Sequence, residues 1–535
     1  MIKPFYNILM LYKHYKATGD ILRNVFKASL TLEQSRQIIT DRMNNREKNF
    51  IDLLETTVFP FPQSPNRLLM EHAGYKLDDI KNLVAELGLE KTLEQLCSDG
   101  VYFDILEFKG KKDVVRGGRT FKFKEKDFSN PLLTQGFKTQ SGGTRSSGTK
   151  MVVPLEYIRE HNPYNIIASH EYDTLNNPSI IWLPILPAGE GLFFNLRFAA
   201  MGNPPVKWFS QVDEKYIKPL LVDKVKTKIS TWMAAYYGKK MPGPQFVDMR
   251  KTQIIAKWMD ANLKDSKGFT VVTYASSALR LIMTAKQLNL NIGKTVFWLM
   301  GEPLTEKIYK EITSYGCKAF SLYGCNELML IGHGCGNPAY PDEMHICNDK
   351  LAVIQYDRNV EHSDTSVDAF LFSTILKTSP KILINTETGD FGKISKRDCG
   401  CGFEDLGFTW HMHEVRSFEK LTAEGATFIG SDLIPLIQDT LPSEIGGNAT
   451  DYQFVEESDE DGIPKLYMNI SPSIGAIDED RICKLVFEAL STEDYNHAYS
   501  MSYWSQSKTL QIKRTNPIPT KRGKIVPLMI RQKKI

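Results

Sequence analysis

The sequence predicts an α/β protein built on a largely parallel sheet, followed by a small α+β unit. Three observations predict it. Between residues 130 and 415, short apolar runs alternate with amphipathic segments: SIIWLPIL (Ser179–Leu186), TVVTYA (Thr270–Ala275) and KTVFWLM (Lys294–Met300) against LTEKIYKEITSYG (Leu304–Gly316). Strand, helix, strand in that order implies parallel pairing, because a crossover helix is the usual link between parallel neighbours. Residues 1–130 read instead as mostly helical. In DDIKNLVAELGLEKTLEQLC (Asp78–Cys97), Ile80, Leu83, Val84 and Leu87 fall at helical spacing and Gly88 interrupts between two helices. After residue 416 the pattern shortens and ends in a basic tail. The expected division is therefore a helical region 1–130 packed on an α/β core 131–416, with a small C-terminal unit 417–535.

The bulk numbers agree with a globular chain. At 535 residues it is too long for one ordinary core, and 42% hydrophobic with 24% charged residues is ordinary composition. A net charge of +3 on 66 basic and 63 acidic residues gives no global case for nucleic acid or an anionic membrane. The densest basic stretch, KGKKDVVRGGRTFKFKEK (Lys109–Lys126), alternates like an exposed hairpin and reads as a solvated face. The first twenty residues lack the apolar core and small-residue site of a signal peptide, and no run approaches a membrane span of about 20 apolar residues. The expected compartment is cytoplasmic. Six of the eight cysteines lie between Cys317 and Cys401. In a reducing compartment that clustering suggests a metal or chance before disulfides.

The stretch KTQSGGTRSSGTK (Lys138–Lys150) packs three glycines, six hydroxyls and three cations into thirteen residues. It is not a P-loop. Gly143 and Gly148 have the spacing, but Thr149 and Lys150 come in the reverse order, and Pro154 argues against a helix opening directly after the loop. Two readings stay open on the residues alone. One is a flexible surface loop; the other is a loop that cradles phosphate through backbone amides, hydroxyls and a cation.

Three further stretches keep it company in order: FSLYGCNEL (Phe320–Leu328), INTETGDFGKI (Ile384–Ile394) and RTNPIPTKRGKIVPL (Arg514–Leu528). This ordered set resembles the adenylate-forming superfamily of acyl- and aryl-CoA ligases, carrier-protein adenylation domains and luciferases. That superfamily carries a Ser/Thr/Gly-rich loop, YGxTE, TGD and PxTxxGK signatures in the same sequence. MGEPLTEKIYKEITSYGCKAFSLYGCNE, EMHICND and CGCGFEDLG are most similar to the phenylacetate-CoA ligase branch.

The resemblance implies a large N-terminal adenylate-forming domain and a small mobile C-terminal domain. It also implies activation of a carboxylic acid by ATP to an acyl-AMP, with Mg²⁺ and release of pyrophosphate. Transfer to a thiol follows, with coenzyme A first and a carrier-protein phosphopantetheine as the alternative. Nucleotidyl transfer without a thioester, or ATP binding without catalysis, are the readings from other classes. By the same resemblance, Ser141, Gly142, Gly143, Thr144 and Lys150 hold the β- and γ-phosphates. Glu327 binds Mg²⁺, as a hard cation prefers carboxylate oxygen. Asp390 takes two ribose hydroxyls and Arg416 contacts the ribose. Gly301, Glu302 and Pro303 pass along the adenine, Tyr323 stacks on it and Gly324 belongs to the same nucleotide site. Lys524 bridges the acyl carboxylate and the α-phosphate. Asn326 stands where the superfamily has a hydroxyl near the α-phosphate, and its amide can still donate.

Cys399 and Cys401 form a C-x-C after the TGD strand, and Cys335 and His345 follow the YGCNE strand. Converging strand ends would make these four a closed tetrahedral zinc set, with His333 and Cys347 as rivals and incidental buried thiols as the other reading. The acid pocket is expected along PAGEGLFFNLRFAAMG (Pro187–Gly202) and Tyr274–Ala278, where Phe193, Phe194 and Phe198 suggest an aryl or medium acyl acid. No nucleic-acid or membrane partner is expected, and the chain reads as a monomer or homodimer.

Overall fold

The computed structural model describes residues 29–133, 137–140, 150–153, 156–186, 189–211, 221–263, 266–359, 366–417, 420–423, 426–429, 436–458, 464–490, 510–519 and 528–530, with Arg23, Phe26 and Ile525. The N-terminal region is helical, as its spacing requires. Helices Leu77–Leu87 and Leu89–Ser98 break at Gly88, which takes φ +81° between them. A small antiparallel hairpin follows, β1 (Val114–Arg116) with β2 (Arg119–Phe121). This is the basic stretch, and only part of it is a solvated face. The Lys122 side chain is 80% exposed, whereas Arg116 is 13% exposed and pairs with Glu107 at 2.9 Å. A second hairpin joins β3 (Phe137–Gln140) and β4 (Lys150–Val153), so the Gly/Ser/Thr stretch connects two antiparallel strands. A helix does not open until Glu156.

Among the described residues, twelve strands form one large sheet. Its first half is parallel: β5 (Ser179–Trp182), β6 (Lys207–Ser210), β7 (Pro244–Phe246), β8 (Thr270–Thr273), β9 (Val296–Met300) and β10 (Lys318–Cys325), in the spatial order β7-β6-β5-β8-β9-β10. Strands β5 and β8 are buried at every position, as expected for parallel strands covered on both faces by crossover helices. The second half is antiparallel. It runs through β11 (Met329–Gly334), β12 (Met344–Ile346), β16 (Trp410–Ser417), β15 (Thr386–Lys396), β14 (Ser366–Thr374) and β13 (Leu351–Asn359). "Largely parallel" thus holds for one half, and hairpin connections build the other. Beyond it lie a hairpin of β17 (Lys420–Ala423) with β18 (Ala426–Ile429) and a four-stranded sheet. The latter holds β19 (Tyr452–Ser458), β20 (Pro464–Ile470), β21 (Leu510–Arg514) and β22 (Leu528–Ile530), with helix Glu479–Leu490 nearby in the chain.

The N-terminal helices are not an appendage. Leu53, Leu69, Leu93 and Phe103 share one core with Phe370, Phe372, Leu383 and Met412 of the antiparallel half. Phe103 also bridges Thr386 in parallel at the start of β15. Beside it Asn385, at φ +45°, donates from Nδ2 to the carbonyls of Leu93 at 2.8 Å and Val101 at 3.1 Å. Asparagine tolerates this left-handed backbone, and its amide satisfies two buried acceptors. Asn385→Ala is expected to lower unfolding free energy by about 2–3 kcal/mol, read by chemical denaturation, because both carbonyls lose their donor. No helix among the described residues is long and apolar enough to cross a membrane.

Candidate functional site

Parallel strands end together, and their carboxyl ends are where ligands bind in open α/β sheets. Register puts Leu322 beside Met300 and Leu299 beside Thr273, so Tyr274 and Gly301, just past their strands, stand within about one residue of the level of Tyr323, which is still in β10. Gly301 turns there at φ +72°, and a Cβ would lie 3.0 Å from the Tyr274 ring. Glu302, next in the chain, points its carboxylate into the start of helix Ala275–Gln287. It accepts from Ser276 N at 2.8 Å and Ser276 Oγ at 3.0 Å. That carboxylate is a helix cap, satisfying first-turn donors and complementing the helix dipole.

The YGCNE segment ends β10 and, with Leu328, makes the tight turn to β11. Gly324 faces the Met329 carbonyl so closely that a Cβ would sit 1.9 Å from it, so no side chain fits. Asn326 lies in the turn, and Glu327 is buried just before β11.

Tyr323 Oη donates to Asp390 Oδ2 at 2.7 Å, and Thr388 Oγ1 donates to the same oxygen at 3.3 Å. Burial, and then the neighbouring Asp390 charge, push the Tyr323 phenol well above its ordinary value, so it stays a donor. On β16, Arg416 pairs with Asp342 at 3.4 Å and lies opposite Phe391, one residue past Asp390. Four sequence segments that span 116 positions, from residue 301 to residue 416, are thus linked in turn by the β9–β10 register, the Tyr323–Asp390 bond and the β15–β16 register. Lys150 belongs to β4 by its backbone. Ser141, Gly142, Gly143, Thr144 and Lys524 lie outside the described residues.

The cysteine cluster lies where β11, β12, β15 and β16 end. Ligand atoms of Cys335, His345, Cys399 and His411 all fall within 4.8 Å of one another. Cys401 Sγ is 3.1 Å from His345 Nε2, and Cys399 Sγ is 3.7 Å from the same nitrogen. Tetrahedral zinc with bonds of about 2.0–2.3 Å needs ligand-to-ligand edges of roughly 3.3–3.8 Å, so soft sulfur and imidazole at these spacings suit that ion. All four expected residues are together. His411, on β16 directly opposite His345, was missed by sequence reasoning. Its signal was the alternation in WHMHEV, which puts His411 and His413 on one strand face. Neither rival is in that group of four, although His333 stands on β11 directly opposite His345. His333 rests against Phe320 and Phe403 at 5.2 and 5.3 Å, and burial drops its pKa to about 3. Burial, above all, pushes the Cys347 thiol up, with Lys350 lowering it and Asp349 raising it by less.

Around the cluster, Arg397 pairs with Glu343 at 2.7 Å and Asn337 Nδ2 donates to the Cys399 carbonyl at 3.1 Å. Gly402 N donates to Glu171 Oε2 at 3.0 Å. These bonds fix the loop that presents Cys399 and Cys401, as outer partners do around metal ligands. Of the expected acid-pocket aromatics, Phe198 packs on Trp298 at 5.2 Å and belongs to the core.

Fold and site together describe an α/β protein with a Tyr323–Asp390 pair joining two distant segments and a separate sulfur–imidazole cluster. No family model and no curated protein matches the chain. Solved structures do resemble it. An amide bond synthetase from Marinactinospora thermotolerans is 10% identical, with 81% of this chain and 76% of that one covered at a TM-score of 0.39. A protein described as acyl-CoA synthetase (AMP-forming)/AMP-acid ligase II-like, from Dyadobacter fermentans, is 15% identical over 73% of this chain and 87% of that one, with a TM-score of 0.27. An A-PCP structure complexed with phenylalanyl-adenylate is 11% identical over 85% and 67%, with a TM-score of 0.34. Likenesses this distant carry no functional argument, which rests on the residues themselves.

Proposed function

We propose that this chain activates a carboxylic acid with ATP and passes the acyl group to a thiol, in the manner of phenylacetate-CoA ligase-like enzymes. The observation that carries the reading is the Tyr323–Asp390 hydrogen bond. It joins the YGCNE and TGD segments, which no local rule would bring together. In the first step a carboxylate oxygen of the acid bonds to the α-phosphorus, and the bond to the bridging oxygen breaks to release pyrophosphate. In the second, a thiolate sulfur bonds to the acyl carbon and AMP leaves with the bond's electron pair.

Such steps are driven by placement and by charge set opposite the developing anion. Asp390, held by Tyr323 and Thr388, accepts the ribose hydroxyls, and Gly301 gives the adenine a backbone edge without a side chain. The Ser141–Lys150 loop receives the outer phosphates, and Asn326 donates near the α-phosphate. Coenzyme A is the leading acceptor and a carrier-protein arm the alternative. The small unit 417–535 brings Lys524 to the reacting atoms. The zinc set serves structure, pinning four strand ends, since Cys399 and Cys401 follow the far end of β15 from Asp390.

Pyrophosphate exchange across a panel of aryl and medium-chain acids, with and without coenzyme A, tests this. Acid-dependent exchange is expected; its absence with every acid overturns acid activation. Thioester appearing only with a phosphopantetheinylated carrier would move the acceptor. Asp390→Ala is expected to raise the ATP KM by roughly tenfold or more with a smaller change in kcat, because ribose contacts exist in ground and transition states alike. A pure kcat loss would mean that Asp390 does not hold the ribose.

A further inference from the structure

The N-terminal region carries no recognisable motif, yet it places a cation on a carboxylate of the proposed site. Lys109 follows helix Ile105–Phe108, and its Nζ donates to Glu327 Oε1 at 2.7 Å. The same ammonium stands 3.1 Å from Glu125 Oε2, and Lys381 closes the row at 3.3 Å from Glu125 Oε1. Four charges alternate in sign: Glu327, Lys109, Glu125, Lys381. Lys109 Nζ is thus an ammonium held between two carboxylates, at 2.7 Å and 3.1 Å.

A divalent ion at Glu327 would have to share its carboxylate with the Lys109 ammonium. Magnesium bonds carboxylate oxygen at about 2.0–2.1 Å, and an ammonium on the same carboxylate would repel it strongly. As it stands, Glu327 does not fit a divalent ion.

We propose that Lys109 is the resident cation of Glu327, supplied by the N-terminal region, and that a divalent ion binds Glu327 only by displacing it. This rests on the reading of Glu327 as the metal-binding carboxylate of an acid-activating site. Displacement is feasible because Lys109 touches two carboxylates. On leaving Glu327 it keeps Glu125, so no uncompensated charge is stranded in the interior. The segment itself stays anchored, since Phe103 bridges β15 and Ile105 N donates to Glu387 Oε2 at 2.8 Å. The site as it stands is thereby charge-balanced without a metal.

The test is Mn²⁺ titration of the full-length protein without nucleotide, followed by calorimetry or water-proton relaxation. Lys109→Met is expected to bind Mn²⁺ about tenfold or more tightly than wild type, because a competing charge at contact distance is gone. Adding Glu327→Gln to it should abolish the gain, and Lys109→Arg, which keeps the charge, should match wild type. If the methionine variant does not fold, Lys109→Gln takes its place in the same comparison. Affinity unchanged or weaker in the neutral variants overturns the proposal. Pyrophosphate exchange run in parallel separates the two readings. Exchange by wild type with unaltered Mn²⁺ affinity in the variant removes Lys109 alone, and a tenfold gain without any exchange removes acid activation alone.

Discussion

Lys524→Ala is expected to cut acyl-adenylate formation by about 10²-fold or more, while thioester formation from supplied acyl-adenylate falls far less. A loss of that size corresponds to about 2.7 kcal/mol of transition-state stabilisation, in the range for removing one aimed donor from a developing anion. The residue belongs to RTNPIPTKRGKIVPL, whose flanks are tied down. Pro519 and Ile525 form an antiparallel bridge, and β22 pairs in parallel with β19 of the four-stranded sheet. If the small unit carries the lysine to the α-phosphate for adenylation and away for thiol attack, the two half-reactions must respond differently. Pyrophosphate exchange reports the first, and single-turnover thioester formation from synthetic acyl-adenylate reports the second. Equal losses in both would sink the two-position account and leave Lys524 a general structural residue.

The second large effect concerns stability. Zinc is expected to copurify at about one equivalent and to resist mild chelation, because the ligands come from four strand ends that no local segment holds together. Cys335 and His345 reach the cluster from β11 and β12, Cys399 and Cys401 follow β15, and His411 lies on β16. Binding free energy of a structural ion is folding free energy. Cys399→Ser should therefore lower the melting temperature by on the order of 10 °C, at about 2–4 °C per kcal/mol for a domain of this scale. The ATP KM should change little. Because five candidate ligands surround four positions, His411→Ala and Cys401→Ser are the discriminating pair, and the one that loses zinc in elemental analysis is the ligand. Zinc absent from freshly purified, chelator-free protein would leave these side chains as ordinary buried thiols and imidazoles.

Local chemistry was legible in the residues. The break at Gly88, the buried parallel strands and the loop between two strands follow from backbone preference and hydrophobic period, which act over a few neighbours. The pairing of YGCNE with TGD was legible only through resemblance, yet Tyr323 and Asp390 do meet at 2.7 Å. The four expected metal ligands also converge. What stayed hidden was set by contacts between segments far apart in the chain. His411 joins the cluster because β12 pairs with β16 in a register that sets it opposite His345. Phe198 turned out to be core because Trp298 lies beneath it.

The sequence by itself determined that this is an α/β chain with an ordered set of glycine- and carboxylate-bearing segments, a cysteine cluster and a helical beginning. Period, turn chemistry and spacing are properties of the chain and need no partner. Only the tertiary structure decided that half of the large sheet is antiparallel, that Glu302 caps a helix, and that Lys109 lies on Glu327. Lysine in a basic, alternating stretch reads as solvated, since a charge keeps its water unless something repays its burial. Two carboxylates 16 and 218 positions away in sequence do that here, and only folding brings them within 3.1 Å of its nitrogen.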